Sequence, residues 1–600
     1  DLSGVAADVI TLGTGSANGD TAVLTVASGA SLVVAVDQTT LGVDGSDVGA
    51  ATNTATITLN DGVDDANAVD LTATTITDMA SVTIDASVDT IASSIGTITA
   101  TADNTDVTIE AGANGVTLAT AVDLGTGDLV INSTAAVTGT GAAITANSLT
   151  ATGSGAVTLD SIDASTLATV TTDSGNDQLT VSATGASLTL DAGDGTNTVT
   201  LGANTTNSMT YTLSAGSGFD TLELADTNAT TALPGAATAG TYTGGTIVAS
   251  GFERIRLVAE VGDANTAVTV ANSLLDGQSY IMTTTDAAVN TVEVVLGTGE
   301  VSSDLSGLTF DNTFQAANDI FEIDQTGSTA NLTLTGSDMI NTFTTGTGND
   351  VLTGGDAADV LNAGTSGTDI VNGGAGNDQI TTAAGADTVD GGDGGDTIIT
   401  GAGDDSITGG EGTDGIIAGD GADTIILTET TSVDDNVQFT SVTDGAAAVA
   451  LGNSFSGFDV ITGFISGSDD LVFDADTSNV DDNVDTSVTQ ATPLAPTNGT
   501  PVTYVAGTAA TVSLNDLTAS NYTSIDAVLN FFNDGGAGIT ANLDAGATGD
   551  FDIVAVTIGS GTSAFTAVYG VEDDDATIDA TEVTLIGIVD ATLVAGDIIA

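Results

Sequence analysis

Aspartate recurs along part of this chain with a step that suits cation binding. Between residues 345 and 426 it stands at Asp350, Asp359, Asp369, Asp378, Asp387, Asp396, Asp405, Asp414 and Asp423. The step is nine residues except from Asp359 to Asp369, where one residue is inserted. Two positions after each Asp comes an aliphatic side chain: Leu352, Leu361, Val371, Ile380, Val389, Ile398, Ile407, Ile416 or Ile425. A glycine-rich turn precedes most of them, as in Gly373-Gly374-Ala375-Gly376-Asn377-Asp378. Carboxylates are hard oxygen ligands, and glycine leaves turn carbonyls exposed. Calcium takes about six to eight such oxygens, more than one turn supplies, so stacked turns must share each ion. The expected metal-binding positions are these aspartates together with Gly374, Gly376, Gly392, Gly394, Gly401, Gly403, Gly410 and Gly412. If two units make one coil, Asp378, Asp396 and Asp414 fall on one edge, and Asp387, Asp405 and Asp423 on the other. A flexible Gly/Asp linker would not hold an aliphatic residue at one phase through the array.

A weaker copy lies upstream, in Gly175-Asn176-Asp177-Gln178-Leu179, Gly193-Asp194-Gly195-Thr196-Asn197-Thr198-Val199 and Gly216-Ser217-Gly218-Phe219-Asp220-Thr221-Leu222. Asp177 and Asp220 are candidate calcium ligands there, and Asn197 takes the Asp position of the middle unit. Metal-free β-turns account for the same residues equally well, because Asn and Asp favour turns by themselves.

The elements that must hold these residues are short strands. Apolar triplets recur from about residue 80 to 225, among them Val82-Thr83-Ile84, Val107-Thr108-Ile109, Val157-Thr158-Leu159 and Val199-Thr200-Leu201. Brief turns and the lack of long helical patterns favour a stacked solenoid over a sandwich. Pro234 and the small residues from Gly235 to Gly245 suggest a loop or boundary. In Arg254-Ile255-Arg256-Leu257 period-two alternation puts both arginines on one face and the aliphatics on the other. After 430 the nonapeptide stops. Phe458 to Leu471 reads as two strands around a turn, and Pro493, Pro496 and Pro501 mark a loop. Ile525, Val528, Leu529 and Phe532 have helical spacing after Thr523-Ser524, with Gly535 as a stop. The chain then ends in short apolar strands.

Composition excludes much. Among 600 residues, Arg254 and Arg256 are the only basic ones against 81 acidic, a formal net charge of -79, and His, Cys and Trp are absent. Without imidazole, thiol or lysine there is no Ser-His-Asp or Cys-His nucleophile, no His-ligated zinc, no Schiff base and no disulfide scaffold. Two arginines cannot neutralise a phosphate backbone, so nucleic-acid binding is excluded. No apolar run is long enough to span a membrane. The start, Asp1-Leu2-Ser3-Gly4, lacks a basic and apolar leader, so export by another signal, or a signal removed before this numbering, is expected.

The nonapeptide Gly-Gly-x-Gly-x-Asp-x-aliphatic-x is the calcium-binding repeat of RTX proteins, and the chain resembles secreted RTX proteins. The segment from Phe458 to Leu471, the short helix and the ending from Tyr569 to Ala600 resemble the C-terminal cap of proteins exported by type I secretion. The layout is most similar to RTX surface-layer proteins of Gram-negative bacteria of the Caulobacter type, including a Gly251-Phe252-Glu253 strand. The chain departs from that pattern in having no helical, lysine-bearing anchoring region.

These readings predict an all-β protein. A Thr/Ala/Gly-rich parallel β-solenoid or β-helix covers 1–170, a degenerate RTX-like segment 171–260, and a connecting β segment 261–340. A right-handed RTX calcium β-roll covers 341–430, and a β-rich cap with one short helix and the secretion signal covers 431–600. The expected function is calcium-dependent self-assembly outside the cell, as a surface layer (S-layer) or related array, with calcium as cofactor. The expected partners are further copies of the chain, and cell-surface polysaccharide through calcium bridges. Alternatives are a filament or matrix protein, or an adhesin or ice-binding solenoid, suggested by pairs such as Thr56-Ile57-Thr58. Their spacing is too irregular to align a flat Thr face, and β-propensity explains them. Enzymatic activity is not expected: paired carboxylates are plentiful, but aromatics are 4 % of residues and none is Trp, which leaves little for stacking on sugars.

Overall fold

The computed structural model describes most of residues 71–439, residues 457–473, and separate strands between 9 and 59 and between 503 and 599. Pro234, the prolines from Pro493 to Pro501, and Ile525, Leu529 and Phe532 of the expected helix lie outside the described residues; Val528 of that helix is helical and buried, its N–H donating to the Ser524 carbonyl at 2.9 Å. Within the stretch expected to be a loop, Gly240–Tyr242 is instead a strand that pairs with Val268 to Val270. The chain forms two units, one of residues 1–297 with 307–315, the other of 298–306 with 316–600. Both are built almost wholly of short parallel strands, the all-β solenoid expected.

In the first unit successive strands alternate between two sheets. One runs from Val9–Leu12 through Ser81–Asp85 and Asp128–Ser133 to Thr246–Ser250. The other runs from Thr21–Thr25 through Ser93–Ala100 to Thr309–Phe310. The physical cause is two-residue alternation. In Ser81–Asp85, Val82 and Ile84 point inward while Ser81, Thr83 and Asp85 face out. Ile57, Ile84, Ile109, Ile131 and Ala151 pair in register on consecutive coils and are buried. One-residue slippage would turn this whole stack to solvent, so the register is strongly specified.

That register has a consequence the linear spacing conceals. Thr56, Thr83 and Thr108, then Val130, then Thr150 and Thr171 pair in one outward row. The turns absorb the unequal segment lengths, so an irregular sequence yields an aligned Thr row. In Arg254–Val258 the expected alternation holds, with Ile255 and Leu257 fully buried. Arg256 pairs with Glu223, and the Arg254 guanidinium lies 4.5 Å from the Phe219 ring centroid, as structural roles require. A one-turn helix, Asn272–Leu275, buries Leu274 and Leu275.

The second unit repeats the plan with tighter coils. Its inward positions form two apolar stacks. One is Phe343, Leu361, Ile380, Ile398, Ile416, Val437, Leu471 and Ile598. The other is Leu334, Leu352, Val371, Val389, Ile407, Ile425, Ile461 and Val589. Both continue past 430, where the nonapeptide ends. The two strands read between Phe458 and Leu471 are Asp459–Thr462 and Asp470–Phe473, one on each sheet. Val583–Val589 adds parallel to Asp459–Thr462 and antiparallel to Phe565–Glu572, which pairs antiparallel with Phe551–Ile558. This change of strand direction ends the purely parallel ladder.

Candidate metal centre

Each repeat brings its Asp to the start of a strand, directly after the glycine turn. The aliphatic residue two positions on points inward, so the Asp side chain also turns in and is buried. There it forms a ladder from coil to coil. The Asp359 N–H donates to Asp378 Oδ1 at 2.7 Å, Asp378 N–H to Asp396 Oδ1 at 2.8 Å, and Asp396 N–H to Asp414 Oδ1 at 2.8 Å. On the other edge Asp350 donates to Asp369, Asp369 to Asp387, Asp387 to Asp405 and Asp405 to Asp423, at 2.7–2.8 Å. The structure therefore places the candidate aspartates on two edges.

The ladders run further than the nonapeptide. Asp414 N–H donates to Asp435 Oδ1 and Asp435 N–H to Asp469 Oδ1, at 2.9 and 3.2 Å. Asp423 N–H donates to Asp459 Oδ1 at 3.0 Å. Sequence reading missed these three residues, although each carries the surviving signal of an Asp two positions before Val437, Leu471 or Ile461.

One oxygen of each carboxylate is thus used, and the other is not. Oδ2 of Asp350, Asp359, Asp369, Asp378, Asp387, Asp396, Asp405, Asp414 and Asp435 is buried with no hydrogen-bond partner. No basic side chain exists in this part of the chain. A buried unpaired carboxylate is costly, and it responds by holding its proton. Burial pushes Asp359, Asp414 and Asp435 up to about 7, aided by the next carboxylate along the ladder. Burial likewise raises Asp369 and Asp396 to about 6, and lifts Asp378 and Asp405 above the ordinary range.

The expected glycines occupy the second and fourth turn positions. Gly374, Gly376, Gly392, Gly394, Gly401, Gly403, Gly410 and Gly412 all have φ between 101° and 145°. Each turn lies directly on the one beneath: a Cβ at Gly392 would strike the Gly374 carbonyl, and one at Gly394 the Gly376 carbonyl. Ala383 occupies the same position on the other edge as Gly401 and Gly419 do, at φ 81°, the only non-glycine residue with positive φ among those described. Alanine is strained there. Ala383→Gly is expected to stabilise the folded chain by about 0.5–1 kcal/mol, read as a higher thermal midpoint in saturating calcium; a lower midpoint would contradict this turn geometry.

The first turn position separates the two edges and was not singled out by sequence. On the Asp359–Asp414 edge it is Gly354, Gly373, Gly391 or Gly409. A Cβ at Gly373 or Gly391 would collide both with Oδ2 of the turn's own aspartate, Asp378 or Asp396, and with the carbonyl of the next coil. At Gly409 a Cβ would come 2.6 Å from Asp414 Oδ2. Glycine thus keeps open a cradle of oxygens. On the other edge the position holds buried Ala363, Thr382, Thr400 or Ala418. The Thr382 and Thr400 hydroxyls donate to the Thr400 and Ala418 carbonyls at 3.1 and 2.8 Å.

These donors suit a hard cation. They are buried anionic oxygens without partners, beside stacked backbone carbonyls. Among the described residues no three carboxylates converge on one point, so carbonyl oxygens must complete any coordination sphere. Bound calcium would supply the positive charge that this shell of oxygens lacks.

Residues 335–365, 363–398 and 390–425 match the family described as the RTX calcium-binding nonapeptide repeat (4 copies). RTX nonapeptide repeats bind calcium, and calcium is the cofactor of this array. No curated protein matches the chain.

Asp177 and Asp220 lie apart from the array, on a ladder in the first unit. Val157 N–H donates to Asp177 Oδ1, Asp177 N–H to Asn197 Oδ1 and Asn197 N–H to Asp220 Oδ1, at 2.7–2.9 Å. Asp194 is instead exposed, and its Oδ1 accepts the Ser217 N–H and hydroxyl, both at 2.8 Å.

Proposed function

We propose that this chain is a calcium-dependent structural protein of the cell exterior, which assembles with further copies of itself into a surface layer or a related ordered array. The observation that carries this reading is the pair of buried carboxylate ladders in a chain of net charge -79. Self-repulsion on this scale opposes both compaction and association. Divalent ions entering the ladders add binding free energy to the folded state only. Ions at the acidic surface would bridge copies, or link the chain to cell-surface polysaccharide. RTX repeat proteins are typically secreted, which supports an extracellular placement, and the cap-like ending supports export by type I secretion. No helix among the described residues is long and apolar enough to cross a membrane. We assign no catalytic role, since the unpaired carboxylates are buried in ladders that suit cations.

Light scattering and negative-stain microscopy of the full chain test this at matched ionic strength. Millimolar calcium should produce ordered assemblies. Sodium should not, and magnesium should act weakly because it demands a tight octahedron and keeps its waters. Equal assembly in sodium would show that screening suffices and would sink the reading.

A second reading, a surface-binding solenoid of the adhesin or ice-binding kind, is favoured by the aligned row from Thr56 to Thr171. Loss of ice or surface binding on replacing Thr83 and Thr108 by bulky residues, with assembly intact, would favour it over the first.

A further inference from the structure

We propose a second calcium site in the first unit, held by Asp220 and Glu253, on coils outside the matched repeat segment. The ladder through Asp177, Asn197 and Asp220 ends on Glu253, whose Oε2 accepts the Asp220 N–H at 2.7 Å.

Asn197 shows how a turn on this ladder closes without a cation. Its Oδ1 accepts the rung hydrogen bond, and its Nδ2 donates to the Gly193 carbonyl of its own turn at 3.0 Å. Asn341, at the head of one roll ladder, behaves alike, with Nδ2 donating to the Ser337 and Met339 carbonyls at 2.9 and 2.7 Å. An amide therefore carries its own donor to the turn carbonyls.

Asp220 has the same shape and no such donor. Its Oδ1 accepts the Asn197 N–H, while Oδ2 has no hydrogen-bond partner and the residue is fully buried. Burial, with the Glu253 and Asp194 carboxylates nearby, raises its affinity for a proton. Both arginines of the neighbouring strand are engaged elsewhere, Arg256 with Glu223 and Arg254 over the Phe219 ring. A buried, unneutralised carboxylate oxygen, with the Glu253 carboxylate on the next rung, calls for a hard divalent cation. The residue at the ladder position thus decides whether a turn needs an ion, Asp needing one and Asn supplying its own substitute.

The test counts calcium bound to the full-length chain, by equilibrium dialysis and elemental analysis, for wild type, Asp220→Asn, Asn197→Asp and Asp396→Asn. Asp220→Asn should keep the wild-type circular dichroism spectrum and bind about one ion fewer, because its amide can close the turn as Asn197 does. Asn197→Asp should bind at least one more. An Asp220→Asn chain that folds and binds as many ions as wild type overturns the proposal. Should Asp220→Asn not fold, an unchanged count in Asn197→Asp overturns it. Asp396→Asn reads the roll separately. A count that falls there but not at Asp220 rejects the second site while leaving the array's calcium binding intact.

Discussion

Raising the pH of the calcium-free chain from 4 to 7 is expected to unfold the coils between Asp350 and Asp469. In the folded, metal-free state burial holds Asp359, Asp414 and Asp435 protonated up to about 7, and Asp369 and Asp396 up to about 6. The ordinary value for each is 3.8, so the unfolded chain gives up these protons near pH 4. The folded state therefore binds more protons than the unfolded state between those limits, and stability falls as pH rises. The stabilisation is fully present below about pH 4 and is lost as pH passes the folded values near 6 and 7. Repulsion along the ladders acts in the same direction. Calcium replaces the proton with a stronger partner, so it should restore the roll at pH 7 and release protons when added near pH 6. Circular dichroism across pH in a chelator, beside the same series in calcium, checks this. Metal-free stability that rose between pH 4 and 7 would contradict the buried, unpaired state of these carboxylates.

Gly391→Ala is expected to be among the most damaging single substitutions in the roll. Its Cβ would collide with Asp396 Oδ2 and the Gly409 carbonyl together. The Gly409 carbonyl is backbone, and the buried Asp396 carboxylate is held through Oδ1 by the Asp378 N–H at 2.8 Å, so the coils must part. Overpacking of this kind costs about 1–3 kcal/mol, and the oxygen cradle closes as well. The calcium midpoint for folding should rise about tenfold or more, the equivalent of about 1.4 kcal/mol or above. Thr400→Ala, at the same turn position on the other edge, removes a 2.8 Å hydroxyl bond to Ala418 and should cost only about 1 kcal/mol. Asp396→Asn should also weaken calcium binding far more than Asp194→Asn, because Asp194 is exposed and bonded within a surface turn. Calcium titrations followed by circular dichroism compare all four. Equal midpoints for Gly391→Ala and Thr400→Ala would show that the two edges bind alike.

Much of this architecture was legible in the residues themselves. A repeat of nine holds Asp and an aliphatic residue at constant phase, so once two units are taken to make one coil, the two edges and the inward stack follow from the spacing. The all-β character follows from Thr, Val, Ile and Gly in short alternating runs. The alternation in Arg254-Ile255-Arg256-Leu257 likewise predicted which side chains are buried.

What the residues did not disclose depends on register between coils of unequal length. The Thr row from Thr56 to Thr171 is invisible in linear spacing, because the turns absorb the irregularity while stacked aliphatic side chains set the alignment. Past 430 the glycine pattern fades, yet Asp435, Asp459 and Asp469 keep the ladders, since Val437, Ile461 and Leu471 still occupy the inward stacks. Sequence counted the aspartates but could not show that one oxygen of each is committed to a backbone N–H a full coil away. Only the stacked backbone shows that the first position of each turn is a glycine-kept cradle on one edge and a filled position on the other. Periodicity is a property of local chain geometry and survives in one dimension. Pairing between an oxygen and its partner is a property of packing, and it is decided only when the coils meet.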